Sequence, residues 1–306
     1  MKRLSGMDRL SEIEATVAEL EQLREAEDQR EQRIFDEVAG VYAGREKIGL
    51  APSQALIKKL GVEPAVIGEF FKSQEQEARR LVEMATPQLQ LTEEELQLID
   101  RQIRAILVIN PCLPAHHSPG WICSFHATSC NFRPSTTANA SAGCTCNTPN
   151  NECNPRVEAY GQDLKGWRSA YLHSYCYFHI PARPNPTTVQ VYAAVDVHGF
   201  YILRSGPFGS AAFSLDLEMK GFQYNHCWAT DIRSVLNLSG DTMGRYDDHR
   251  HLQFVMPVGG GDPFTVRVSA KLRARARMGG AEAVGDFGMG NGNFIKRIYV
   301  NTYSED

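Results

Sequence analysis

Five cysteines and a histidine crowd the stretch between Cys123 and Cys153, as Cys123-x2-His126-x3-Cys130 followed by Cys144-x-Cys146-x6-Cys153. Thiolates and imidazole are the donors that tetrahedral zinc takes, four at a time, so a structural zinc held by Cys123, His126, Cys130, Cys144, Cys146 and Cys153 is one chemistry open to this segment. The spacing matches no common zinc-finger signature. Disulfides that staple a loop poor in apolar residues are the second reading, and free thiols are the third. A thiolate nucleophile at Cys123, served by His116, His117 or His126, would make the chain an enzyme or toxin, but no acid or oxyanion motif accompanies it. The balance leans away from an enzyme.

A second set is basic. Arg267, Lys271, Arg273, Arg275 and Arg277 recur at alternate positions, so an extended strand would place them on one face, where they could bind an anion or an acidic partner. Asp247-Asp248-His249-Arg250-His251 also concentrates metal-binding types. In a strand His249 and His251 share one face while Asp248 and Arg250 take the other, which reads as a polar strand entrance before it reads as a metal site. Gly288-x-Gly290-x-Gly292 falls between two strand patterns, with no helix N-terminus to offer a phosphate.

The elements that carry these residues are strands. From Thr187 apolar and polar residues alternate through Val189, Val191, Ala193, Val195 and Val197, with a turn expected at His198-Gly199. Phe213 to Met219 and His251 to Val258 give further strands, and Phe264, Val266, Val268, Ala270, Leu272, Ala274 and Ala276 alternate with the basic row. These patterns predict an antiparallel β-sandwich, jelly-roll-like, whose strands each keep one wet face. A hairpin at Gly279-Gly280 would set Arg277 opposite Glu282, Arg273 opposite Asp286, Leu272 against Phe287 and Ala276 against Ala283. Arg267, Lys271 and Arg275 then remain as candidates for anion or partner binding, against the alternative of a solvated face. The aromatic run Trp167, Tyr171, Tyr175, Tyr177 and Phe178 reads as core at the edge of this domain, and His226-Cys227-Trp228 as core.

The N-terminal third is helical. Leu10, Ile13, Val17 and Leu20, then Ile34, Val38 and Val41, hold coiled-coil phase across a charged middle, predicting one long helix from about Met7 to Tyr42 that self-associates or docks. Pro52 and Pro64 open further helices, the second with Val66, Ile67, Phe70 and Leu81 inward, and Thr92 with Glu95 forms a capping box before the stripe Leu96, Ile99, Ile103 and Ile106. Residues 53–71, with Ala55, Leu60, Gly61, Val62 and Ile67 at the matching places, resemble the helix-turn-helix of DNA-binding regulators over about twenty residues. That resemblance implies a DNA-binding regulator, yet the positions it would turn to the major groove are Glu63, Ala65, Gly68 and Glu69. Two carboxylates there oppose contact with phosphates, so nucleic acid is not the expected partner.

The 306 residues thus read as an α+β chain in three parts: helical 1–110, a Cys/Pro-rich irregular 111–186 packing on the β domain, and the β-sandwich 187–306. Residues 1–110 carry 15 basic against 21 acidic side chains and the remainder 17 against 15, so neither half has the charge of a polyanion binder. Neither a signal peptide nor an apolar run of membrane-spanning length is evident, which is the pattern of a soluble protein, cytoplasmic or exported by a leaderless route. The sequons at Asn139 and Asn237 matter only in a secretory pathway. The reading that follows is a non-enzymatic structural or binding protein, its helical segment serving assembly and its sandwich meeting a partner, an anion or a glycan.

Overall fold

The computed structural model describes residues 59, 61–99, 101 and 120–304, apart from 125, 162–166, 207–208, 225, 279 and 289–291. The coiled-coil seam at 7–42, residues 53–58 and 60 of the helix-turn-helix segment, His116 and His117 lie outside the described residues. Residues Val62–Gln223 and Cys227–Asp306 form one unit. No described helix is long and apolar enough to cross a membrane.

Twelve strands are described: β1 (Trp121–Ser124), β2 (Ser129–Thr136), β3 (Ala140–Asn147), β4 (Glu152–Tyr160), β5 (Arg168–Ile180), β6 (Thr187–Arg204), β7 (Ser210–Gln223), β8 (His226–Ser239), β9 (Thr242–Val258), β10 (Phe264–Arg277), β11 (Glu282–Asp286) and β12 (Phe294–Tyr303). They make the two-sheet sandwich that the alternation predicts. Sheet A has the order β1-β12-β4-β11-β6-β9, with β3 paired to β4 and β12 also to β6, and sheet B has the order β2-β5-β10-β7-β8. The inward rows Val189 to Val197, Phe213 to Met219 and Phe264 to Ala276 are buried together as one core.

Three expectations are corrected by the register. The segment 111–186 is not irregular where it is described, because β1 to β5 run through residues 121–180. Its period of two is carried by small residues, such as Ala140, Ala142, Cys144 and Cys146 packed inward from β3, so it lacks the large apolar signature of a strand. The expected hairpin at Gly279-Gly280 is instead an arch between sheets. Strand β10 pairs β5 and β7 in sheet B, whereas β11 pairs β4 and β6 in sheet A. Arg277 therefore faces Ser210, Arg273 lies between Ser214 and Tyr171, and Asp286 meets Arg156 at 3.1 Å. Charge complementarity was compatible with both arrangements and could not choose between them; Met278 and Gly280, both at positive φ, turn the chain through the arch. Third, His198-Gly199 is no turn, since β6 continues through it. A Cβ at Gly199 would stand 2.5 Å from the Asp286 carbonyl oxygen, so the glycine is there for the close approach of β11.

Helix α1 (Pro64–Ala85) and the helical residues 93–99 belong to the same unit as the sandwich. The buried stripe of α1 is Phe71, Ala78 and Val82, while Val66 and Phe70, expected inside, are exposed. Val82, with Ala85 and Leu89, packs on Phe200, Ile202 and Val284 of sheet A. Leu91, Leu96 and Ile99 pack on Ala194, Phe294, Ile298 and Tyr299. The capping box forms as expected: the Thr92 amide donates to Glu95 Oε2 at 2.7 Å and the Glu95 amide to Thr92 Oγ1 at 3.3 Å. Arg245 on β9 donates to the Leu89 carbonyl and, at 3.1 Å, to Asn293 Oδ1, tying this helical cover to the sheet.

Under that cover the row Tyr160, Glu282 and Arg204 crosses sheet A, with the Arg79 guanidinium of α1 3.9 Å above the Tyr160 ring. Glu282 is 1% exposed, and burial pushes its carboxyl up to about 8 against the opposing charges of Arg204 and Arg79. A carboxyl raised in the fold but ordinary in the unfolded chain stabilises fully below the unfolded value and loses that contribution as pH rises through the folded value. Stability in urea is therefore expected to fall between about pH 5 and pH 8 in the native protein. Glu282→Gln should flatten that fall; parallel pH profiles for the two proteins would count against it.

Candidate ligand face and side-chain clusters

The basic row of β10 is not a wet face along its first half. Arg267 and Lys271 are buried, and both meet Glu218 of β7, at 3.1 Å each. Their neighbours in the sheet are His173, Tyr175 and Tyr177, all buried, so two of the three cations proposed for an anion are held inside an ion trio. Burial works to raise the Glu218 carboxyl, and the charges of Lys271 and Arg267 outweigh it and hold it below the usual range. Arg275 remains exposed, its guanidinium 5.5 Å from the centre of the Trp167 ring. Tyr175, Tyr177 and Phe178 are core as expected, whereas Trp228 is 46% exposed and its indole donates to the Gln223 carbonyl at 2.9 Å, which corrects its reading as core.

The cysteine set divides. Cys130 and Cys176 are disulfide-bonded across β2 and β5, and Cys123 is disulfide-bonded as well, which removes it as a nucleophile. His126 is exposed. Cys144, Cys146 and Cys153 carry free thiols that lie within 4.8 Å of one another. The Cys144 and Cys146 thiols hydrogen bond to Cys153, and with the nearby Arg297 charge they draw its thiol down to about 3, while Cys146 is pushed up to about 12.

The outer face of sheet A carries a ladder and then an open patch. Alternation turns His198, Asp196, Ala194, Tyr192 and Gln190 of β6 outward, opposite Asp247, His249, His251, Gln253 and Val255 of β9. His198 Nδ1 and Asp247 Oδ1 are 3.1 Å apart, and His249 Nδ1 meets Asp196 Oδ1 at 2.5 Å. Burial opposes ionisation of Asp247, but hydrogen bonds from His198 and Arg245 hold its carboxyl below the usual range. Burial, then the neighbouring His249, lowers His251. His249 and His251 do share a face, their rings 4.6 Å apart, with Asp248 and Arg250 paired at 2.7 Å on the other face. Asp196, which completes the cluster from another strand, had no local sequence signal.

Beyond the ladder two rows cross four strands. One is Trp121, Tyr303, Gln190 and Val255; the other is Cys123, Asn301, Tyr192 and Gln253. Trp121 lies 5.0 Å from Tyr303 at 39° and 6.1 Å from Tyr192 at 32°, ring centre to centre, so three half-buried rings form one aromatic patch. Tyr192 donates its hydroxyl to Gln190 Oε1 at 2.6 Å, and Gln190 and Gln253 are exposed. None of the eight positions is Asp, Glu, Lys or Arg. The patch escaped sequence reasoning because its rings come from residues 121, 192 and 303; the one local sign was Tyr192 on the polar side of its strand.

No family model and no curated protein matches this sequence. Among solved structures it is similar to TmCBM61 in complex with beta-1,4-galactotriose (10% identity, 54% of this chain and 88% of that chain, TM-score 0.21). It is similar also to the C-terminal CBM6 of LamC from Zobellia galactanivorans (10%, 60% and 98%, 0.21). A third is TmCBM27, described for specific mannan recognition (14%, 61% and 99%, 0.23). Scores this low carry no argument about the ligand.

Removing the Glu218 carboxylate takes away the negative charge that Arg267 and Lys271, and Lys220 at 3.8 Å, share. Glu218→Gln should cost about 3–5 kcal/mol in urea denaturation at neutral pH. In the native protein the depressed Glu218 carboxyl contributes stability above the ordinary carboxylate range that is lost as pH falls through its folded value, so the variant should also show a weaker acid limb. A cost below about 1 kcal/mol would contradict the trio as described.

Proposed function

We propose that this protein is a non-enzymatic binding protein whose β-sandwich takes an uncharged glycan on the outer face of sheet A, at Trp121, Tyr192 and Tyr303. The observation that carries the reading is the pairing of an aromatic patch with amide side chains and no formal charge across both rows. A sugar ring offers C–H faces to aromatic rings and hydroxyls to amides, and gains nothing from fixed charge. An anion would seek cations, and two of the three offered for one are already held by Glu218. Tyr303 and Trp121 supply the ring faces, while Gln190 and Gln253 supply donors and acceptors at the rim. The N-terminal seam at residues 7–42 is the assembly element in this reading, and more than one copy would give weak sugar sites avidity.

Titration calorimetry with soluble β-1,4-linked gluco-, galacto- and manno-oligosaccharides tests the site. Binding of at least one is expected, with Trp121→Ala and Tyr303→Ala each weakening it by about tenfold or more and Arg275→Ala leaving it unchanged. Equal affinity in Trp121→Ala, or binding abolished by Arg275→Ala alone, would overturn it. Sedimentation of the full chain over a range of concentrations tests assembly, where a strict monomer would remove that half of the reading.

A further inference from the structure

Three of the four free cysteines among the described residues are brought together by the sheet. Cys144 and Cys146 are two apart on β3 and so share a face, and Cys153 stands directly opposite Cys146 on β4. The Cys144 and Cys146 sulfurs are 3.8 Å apart, and all three lie within 4.8 Å. Metal–sulfur bonds of about 2.3 Å give a tetrahedron an edge of about 3.8 Å, so the Cys144–Cys146 pair already has that edge and Cys153 lies within 4.8 Å of both. Three is an odd number. Pairing any two as a disulfide leaves the third over.

A second observation points the same way. Arg297 is 0% exposed, and its guanidinium donates to the Ile295 carbonyl at 3.0 Å and to the carbonyl and hydroxyl of Ser174 at 3.2 and 3.3 Å. Among the described residues no carboxylate pairs with it, and its Nε has no hydrogen-bond partner. A guanidinium this deep requires a counter-charge nearby. A divalent ion with three thiolates carries one net negative charge, and Arg297, beside Cys153, balances it.

We propose that Cys144, Cys146 and Cys153 are three ligands of a site for a thiophilic divalent metal ion, with the fourth position open at the half-exposed edge strand β3. This inference is independent of glycan binding, which sits on other residues. The test uses the full chain stripped with a chelator, then zinc alone by competition with a chromophoric chelator and cobalt alone by absorption. One ion per chain is expected, with a sulfur-to-cobalt charge-transfer band in the near ultraviolet. That band should vanish in Cys144→Ser and Cys153→Ser and persist in Cys227→Ser, and Arg297→Gln should weaken zinc about 10- to 100-fold. Cys144 is half-exposed at an edge, so its variant is expected to stay folded by circular dichroism and decides the matter if Cys153→Ser does not fold. Absence of the band in the native chain, its survival in Cys144→Ser, or a Cys146–Cys153 disulfide found by non-reducing peptide mapping in most of the purified protein would each overturn the site.

Discussion

The alternation along β6 is the constraint on which the rest of sheet A depends. One strand of 18 residues sends Val189, Val191, Ala193, Val195 and Val197 into the core, and the same backbone must then turn the residues between them to the outer face. Read from one end, that outer face meets three environments in turn. Gln190 and Tyr192 lie in the aromatic patch, Asp196 and His198 stand in the ladder with β9, and Phe200 and Ile202, like Ala194 before them, accept the helical cover. A shift of register by one residue would exchange all three with the core. Function and packing are thus set by a single phase.

Sheet B meets the same constraint differently. Its strand β10 is apolar inward throughout, yet the outward positions Arg267, Ser269 and Lys271 are buried as well. Placing cations there is tolerable only with a carboxylate at hand, and Glu218 contacts both. Asp286, wholly buried, pairs with Arg156 in sheet A. Among the described residues no carboxylate pairs with buried Arg297, which is held by the Ile295 and Ser174 carbonyls and lies beside the thiols.

The fold was legible where apolar residues are large and alternate, as from Val189 and from Phe264, and the capping box at Thr92 was readable from two side chains three apart. It was not legible where the inward residues are small. Ala140, Ala142 and Cys144 fill a narrow edge of the sandwich and leave no strong periodic signal, so β3 read as loop. Pairing partners were beyond reach for another reason: Arg273 can satisfy local charge opposite Asp286 in a hairpin, but only the three-dimensional demand of two full neighbours for β10 places it between β5 and β7. Of the candidate residues, His249 and His251 were placed correctly on one face. Asp196 and the rings of the patch come from strands distant in sequence, and no local pattern marks them.

The central claim is that the open end of this face, and no other aromatic surface, meets the ligand. The chain has three tryptophans, at 121, 167 and 228, and each indole N–H gives its own signal in a nitrogen-correlated spectrum of labelled protein. With the Trp121 signal assigned by its loss in Trp121→Phe, titration with a neutral oligosaccharide should move that signal alone and saturably. Movement of Trp167 or Trp228 in place of Trp121, or no movement with any neutral oligosaccharide, would contradict the account.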